Sequence, residues 1–168
     1  VASIAGKRES RRLLGDYILK QDDIVKRVFH EDGTAATTWT IDLHFPDPEN
    51  EALFPEEPFK SATEHIKIHP YPIPYRCLYS RNVENLFMAG RNISTTHVAL
   101  GTTRVMRTTG MMGEVVGMAA WLCTKYGASP REIYFYHLPE LKELMAQGTG
   151  RKDLTPSQTF NKGEMLKD

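Results

Sequence analysis

Charged and hydroxyl side chains fill the stretch between an apolar segment at 85–89 and a long apolar segment that ends at Cys123. They include Arg91, His97 and Arg104. An imidazole exchanges protons near neutral pH and a guanidinium binds anions, so these residue types suit a site that holds an anionic group and moves a proton. In open α/β sheets ligands bind where strands end. We therefore expect the strand end, the polar loop and the following helix start to converge on one site.

The segment after the loop predicts a helix from about Thr109 to Tyr126. Gly110, Gly113 and Gly117 recur at spacings of three and four residues, so they line one helix face. Each interior glycine costs a helix about 1 kcal/mol relative to alanine. Two interpretations follow: tight packing of the helix on a sheet with no ligand, or a smooth face that lets a flat ligand come close. A helix N-terminus beside arginines also attracts anionic groups.

Apolar periodicity predicts strands in the first half of the chain. Trp39, Ile41, Leu43 and Phe45 alternate with polar neighbours, as in a half-buried strand. A proline in the first turn marks an amphipathic helix at 139–147. The predicted strands are 8–12, 17–19, 37–45, 63–69, 75–79 and 85–89. We predict an α+β fold in which a mixed or antiparallel sheet packs against one long, buried, glycine-rich helix.

Composition narrows the classes of partner. The 168 residues are 40% hydrophobic and 25% charged, which is typical of a folded core. Lys+Arg and Asp+Glu both number 21, so no charge excess favours nucleic acid. The longest apolar run, near 111–123, contains Glu114 and is shorter than the roughly 20 residues of a membrane span. We expect neither nucleic acid nor membrane as a partner.

No metal site is predicted. His65 and His69 lie four residues apart, but Ile66 and Ile68 alternate with them and indicate a strand. Lys67 then shares the polar face with both histidines and opposes a cation.

Motifs along the chain resemble a family of bacterial FAD-dependent oxidoreductases built on the glutathione-reductase-type FAD fold, some members of which are labelled xanthan lyases. The matching residues are Ala89-Gly90-Arg91, Ile93-Ser94, Thr96-His97, Gly101, Arg104-Val105-Met106, and Gly113-Glu114 with Gly117. Two further stretches, RESRRLLGDYILKQDDI at 8–24 and YPIPYRCLYS at 71–80, match the same family in the same order.

The resemblance implies a fragment of a two-domain enzyme that transfers hydride from a small or sugar-like substrate to flavin. It implies that 1–84 belong to the substrate domain, 85–148 form the C-terminal strand-helix segment of the FAD domain, and 149–168 are a polar tail. The sequence contains no G-x-G-x-x-G, the motif that holds the dinucleotide pyrophosphate. We therefore expect FAD in the full-length protein, and neither FAD nor activity in this chain alone.

The resemblance also implies site residues. The cofactor-binding residues are Gly90, Arg91, Ser94, Gly101, Arg104, Gly110, Met111, Met112 and Gly113. His97 is the expected proton donor and Arg76 the expected ligand of a substrate anion; the alternatives are a hydrogen-bonded loop histidine for His97 and a surface ion pair for Arg76. An alternative function is a non-enzymatic interaction module, which would form a homodimer through its bare cofactor-facing surface.

Overall fold

The computed structural model describes residues 11–46, 48–53, 55–56 and 61–148. Its helices are α1 (Gln21–Val25), α2 (Pro48–Leu53), α3 (His97–Thr103), α4 (Met106–Tyr126), α5 (Pro130–Tyr136) and α6 (Leu138–Gln147). Its strands are β1 (Gly33–Thr37), β2 (Ile41–Pro46), β3 (Ser61–Ile66) and β4 (Tyr71–Pro74). The predicted α+β class is confirmed, as is the amphipathic helix now numbered α6.

Two separate antiparallel strand pairs stand where one sheet was expected. β1 pairs with β4, and β2 pairs with β3. The strand predicted over 37–45 is therefore interrupted at 38–40, because its two halves pair with different partners. In the second pair Asp42 lies opposite His65, and His44 lies opposite Thr63, so all four side chains share one face.

Three short predicted strands take other conformations. Tyr75–Cys77 is a 3-10 turn that follows β4 directly. The segments at 17–19 and 85–89 contribute single bridges, a parallel one between Leu19 and Thr95 and an antiparallel one between Tyr79 and Phe87. Residues 8–10 of the first predicted strand, and the tail at 149–168, lie outside the described residues.

α4 begins three residues earlier than expected. Val105 is the extended N-cap residue of α4, and its carbonyl accepts the Thr109 N–H at 3.0 Å. The prediction of a start near Thr109 is wrong, because the apolar periodicity shows only after the first turn, in which residues 107–109 are polar. The end is as predicted: Gly127 adopts φ 61°, a left-handed conformation that stops a helix.

One hydrophobic core joins the two halves of the chain. Met112, Val115 and Leu122 of α4 are fully buried in it together with Leu19 and Tyr75 from the first half. α4 packs against β1, α5 and α6. The core therefore crosses residue 84, where the sequence places a domain boundary; the assignment of the two parts to substrate and FAD domains stays a prediction.

Within the described part of the chain, no helix has both the length and the apolar composition to cross a membrane.

Candidate functional site

The start of α4 is the end of the helix at which backbone N–H groups point outward. The first N–H groups of a helix have no carbonyl partner inside it, and in α4 these belong to 106–108. Met106 at the tip is 91% exposed, so this end of the helix is open. The helix carries partial positive charge here, which stabilises an anionic group. The amides of 109–112, which the sequence placed at the helix opening, are one turn further in, where the helix's own carbonyls accept them.

The glycine face of α4 is open. Apart from the adjoining backbone of α4 itself, a Cβ added at Gly110, Gly113 or Gly117 would have no atom of the described residues within 4 Å. All three are exposed, whereas the opposite face of the helix forms the core. Of the two interpretations that the sequence left, packing of the glycine face against the chain's own sheet is excluded for the described residues; α4 contacts β1 through its other face. A flat surface about two turns long is left beside the helix start.

Two predicted cofactor residues face inward from the same helix. Met111 and Met112 are 9% and 0% exposed, and both belong to the core. Their side chains therefore pack with the protein, and any contact with a ligand would have to use the backbone.

The guanidinium of Arg104 lies at the junction of α3 and α4. Arg104 is the C-cap residue of α3, and its Nη2 donates to the Asp42 carbonyl at 3.0 Å and lies 3.8 Å from Asp42 Oδ2. Gly101 brings the two elements together, because a Cβ there would lie 2.8 Å from the Asp42 carbonyl oxygen. The close approach of helix α3 to strand β2 thus explains this glycine. The packing of α3 on β2 does not test whether Gly101 contacts a cofactor, so that contact stays a prediction.

Two buried hydroxyls border the loop before α4. Ser94 Oγ and Thr103 Oγ1 are in residues that are 1% and 0% exposed, and neither hydroxyl has a hydrogen-bond partner among the described residues. A buried hydroxyl without a partner costs about 1–3 kcal/mol, so such groups mark places where another molecule or segment supplies the bond. Gly90 and Arg91 precede Ser94 in a turn, and Arg91 is exposed.

His97 opens α3. It is the first helical residue after the N-cap Thr96, whose side chain accepts the Ala99 N–H. The histidine is exposed and lies one short helix away from the start of α4. The role of proton donor stays a prediction for His97.

Arg76 is held inside the protein. Its Nε and Nη2 each lie 2.9 Å from an oxygen of Asp32, which is 0% exposed. The guanidinium also lies over the rings of Tyr17 and Tyr134, 5.3 and 5.0 Å from their centroids. The hydrogen bonds that Arg76 donates to Asp32 raise the pKa of Arg76. A substrate anion would have to compete with this buried carboxylate for the guanidinium. The ion pair with Asp32 therefore gives Arg76 a role in the fold, and its binding of a substrate anion stays a prediction.

A polar cluster that was not predicted from the sequence surrounds Asp42. His44 Nε2 and His65 Nε2 lie 3.2 and 3.7 Å from Asp42 Oδ1. The alternation of Asp42 and His44 on one strand was a signal, but the pairing of His65 with Asp42 depends on the register of β2 and β3. Within the described residues, no group of three or more His, Cys, Asp and Glu side chains is arranged to hold a metal ion.

A shallow groove of about 410 Å³ lies at the far end of α4. Phe87, Ala120, Cys123 and Gly127 are among its lining residues. Since a helix rises about 1.5 Å per residue, Cys123 is roughly 25 Å from the helix start, so the groove is separate from the site. Cys123 is a free thiol, and burial raises its pKa.

One of three comparisons with known proteins gave a match. The sequence model described as "FAD dependent oxidoreductase" matches residues 1–145, which is most of the chain. The comparisons with curated proteins and with solved structures gave no match. Residues 85–89, the polar loop that follows them and the glycine-faced helix α4 are all inside the matched range. Full-length members of the family use FAD. The chain belongs to the FAD-dependent oxidoreductase family.

Proposed function

We propose that this chain carries the flavin-facing helix of an oxidoreductase that transfers hydride from a small or sugar-like substrate to FAD. The observation that carries the proposal is the glycine face of α4, which is open beside the helix start. Family membership supplies the cofactor and the reaction type. The open face supplies the place, because a planar ring can lie against backbone only where no Cβ intervenes.

The residues present fit an FAD isoalloxazine. Gly110 and Gly113 leave the space that a Cβ would fill. The amides of 106–108 and the Arg104 guanidinium supply positive charge near it. Bound FAD would accept the hydride, and the negative charge that then develops on its ring is what a helix N-terminus and a nearby cation stabilise. The buried hydroxyls of Ser94 and Thr103 are further donors that lack partners in the described chain.

We assign the chain's own residues these roles. Gly110 and Gly113 allow the approach of the ring, and the amides of 106–108 with Arg104 hold its anionic edge. Gly90, Arg91 and Ser94 lie nearer the ribityl and pyrophosphate part, as the family resemblance implies. Met111 and Met112 fix the helix in the core and take part through backbone only.

We further propose that the 168-residue chain alone holds FAD weakly and is inactive in isolation. The printed sequence contains no G-x-G-x-x-G, whose glycines let backbone amides approach the pyrophosphate. The amides at the start of α4 and the Arg104 guanidinium contact only one part of so large a molecule.

FAD binding to the purified chain tests the proposal. Titration of FAD with the chain should quench flavin fluorescence, and Arg104→Gln should weaken that binding about 10- to 150-fold, since a charged hydrogen bond contributes about 1.5–3 kcal/mol. Arg81→Gln is the matched control, because Arg81 is an exposed arginine in the 80–85 turn. Circular dichroism of each variant confirms that it is folded. If both variants bind FAD like the unchanged chain, Arg104 and the helix start do not face the cofactor.

One observation favours the alternative of an interaction module. Met106 and Trp121, at the two ends of the glycine face, are 91% and 53% exposed. An exposed apolar strip of this kind invites self-association. Sedimentation velocity on the FAD-free chain separates the two proposals. A dimer that Trp121→Arg converts to monomer, together with no flavin binding, supports the interaction module.

A further inference from the structure

A buried carboxylate oxygen between two imidazoles lies beside the proposed flavin site. Asp42 Oδ1 is buried and accepts no well-formed hydrogen bond from any described residue. Its neighbours are His44 Nε2 at 3.2 Å and His65 Nε2 at 3.7 Å, from rings that are 47% and 57% exposed. A buried carboxylate oxygen needs a donor, so it favours the form of each ring that carries its proton on Nε2.

The two histidines differ in what their other nitrogen meets. His44 Nδ1 lies 3.1 Å from Thr63 Oγ1, the residue opposite it in the β2–β3 register. With its proton on Nε2, His44 accepts the Thr63 hydroxyl at Nδ1, so that nitrogen is already engaged. Among the residues that the structure describes, no hydrogen bond to His65 Nδ1 is formed, and the His65 side chain is 57% exposed. His65 is therefore the ring that can take up a proton from outside.

The cluster adjoins the start of α4. Arg104 Nη2 donates to the Asp42 carbonyl and lies 3.8 Å from Asp42 Oδ2. The two histidines lie nearest to the other carboxylate oxygen, Oδ1. Val105, the next residue, caps α4. The β2–β3 pair, which carries both histidines, is thus joined through the Arg104 side chain to the end of α4 at which we propose the flavin ring. Arg104 is the charged group from α3 that faces the cluster; Glu64 points to the other face of its strand.

We propose that His65, oriented by Asp42, is the base that accepts the hydroxyl proton of an alcohol substrate during hydride transfer. This inference rests on the proposed function and assigns the substrate class, a molecule that bears a carbon with both hydrogen and hydroxyl. Asp42 stabilises the imidazolium that forms, and His44, fixed by Thr63, holds the carboxylate in place. The arrangement is a carboxylate–histidine pair in which the acid orients and the imidazole exchanges the proton.

The step balances in atoms and electrons. The substrate C–H bond breaks, and its hydrogen leaves with both electrons to FAD, the oxidant. The O–H bond breaks, and its proton forms a bond to His65 Nδ1, while the remaining oxygen electron pair completes the C=O bond of the product. The alcohol is oxidised to a carbonyl and the flavin is reduced. The half-exposed imidazolium then releases its proton to water.

The first test reads the proton positions in the 168-residue chain without cofactor. Two-dimensional ¹H–¹⁵N correlation spectra at alkaline pH distinguish the tautomers of the neutral histidines. His65 is expected as a single Nε2–H tautomer, whereas His69, exposed and outside the cluster, serves as internal reference for the free mixture. Asp42→Asn should return His65 toward that mixture. A wild-type His65 that matches His69 overturns the proposal, whatever the outcome for flavin binding.

The second test uses the full-length flavin-loaded protein and four alcohols: glycerol, D-glucose, D-mannose and myo-inositol. The alcohol that bleaches the flavin fastest is the probe in stopped-flow measurements. His65→Gln should slow reduction about 10²- to 10⁴-fold, the usual contribution of a general base, with flavin content unchanged. His69→Gln is the matched control and should keep the full rate. Equal rates for the two variants, or no reduction by any of the alcohols while flavin is bound, overturn the assignment; absence of bound flavin refutes the proposed function instead.

Discussion

Replacing Gly113 with alanine is expected to stabilise the folded chain and weaken its hold on flavin. Apart from the adjoining backbone of α4 itself, the added methyl group meets no atom of the described residues within 4 Å, so it introduces no clash with another element. The helix then gains the propensity difference between glycine and alanine, about 1 kcal/mol. For a chain of this length that raises the Tm by about 2–4 °C. Urea unfolding followed by circular dichroism measures the gain directly.

The same methyl group should interfere with a ring lying on the glycine face. Inserting one carbon into a close contact costs about 1–3 kcal/mol, which is roughly a 5- to 150-fold loss of flavin affinity. Fluorescence titration of the full-length protein with FAD measures that loss. The expected result is therefore a more stable protein that binds its cofactor less well, which is the opposite of what a general packing defect produces.

Gly101→Ala is the matched control within the same region. Its Cβ would lie 2.8 Å from the Asp42 carbonyl oxygen and 3.0 Å from the Asp42 nitrogen, both backbone atoms that cannot swing aside. An overpacking cost of about 2–3 kcal/mol outweighs the helix gain, so a net loss of about 1–2 kcal/mol is expected. Destabilisation by Gly113→Ala, or unchanged flavin affinity in that variant, would refute the open, cofactor-facing assignment of the glycine face.

Three other predictions concern the ion pairs and phenols that hold the fold. Arg76→Met leaves Asp32 buried without its cation, and we expect a loss of about 3–5 kcal/mol in urea unfolding. Burial works against ionisation of Asp16, but hydrogen bonds led by Arg131 outweigh it and lower its pKa. Its stabilising effect is therefore present above the ordinary pKa of 3.8 and is lost as pH falls through the lowered folded value; Asp16→Asn should flatten the acid limb of a stability–pH profile. Burial, followed by a hydrogen bond to a carboxylate, raises the pKa of Tyr17 to about 12, so stability that is full below pH 10.0 is lost as pH rises toward 12, and Tyr17→Phe should reduce that alkaline loss.

Each of these has a clear contrary result. An Arg76→Met variant as stable as the unchanged chain would show that Asp32 finds another partner. Acid or alkaline limbs that keep their slopes in Asp16→Asn and Tyr17→Phe would show that other groups control them.

The long apolar segment was recognisable as a helix from the sequence, because helical periodicity and capping depend on residues within a few positions of each other. Gly127 ended α4 as expected, and the spacing of Gly110, Gly113 and Gly117 placed them on one face. The first turn of α4 was missed, since its polar residues carry no apolar pattern. The ordered motifs also identified the family, which the match over 1–145 confirms.

The pairing of the strands was harder to predict from the sequence. The alternation at 37–45 indicated extended backbone correctly at both ends, yet it contained no information on partners. β1 and β2 pair with different strands, and the break between them follows from that choice. A predicted single sheet therefore became two pairs, because pairing is decided by which distant segments bury their apolar faces together.

The sequence by itself determined the glycine-faced helix, its C-terminal stop and the family to which the chain belongs. Only the tertiary structure decided which side chains meet. Arg76 and Asp32 are 44 residues apart, and the Asp42 cluster gathers residues from two strands and the end of α3. It also decided that the glycine face stays open while the opposite face enters the core. The reason is physical: a helix is fixed by hydrogen bonds between near neighbours, whereas contacts between distant residues exist only once strand register and core packing have brought them together.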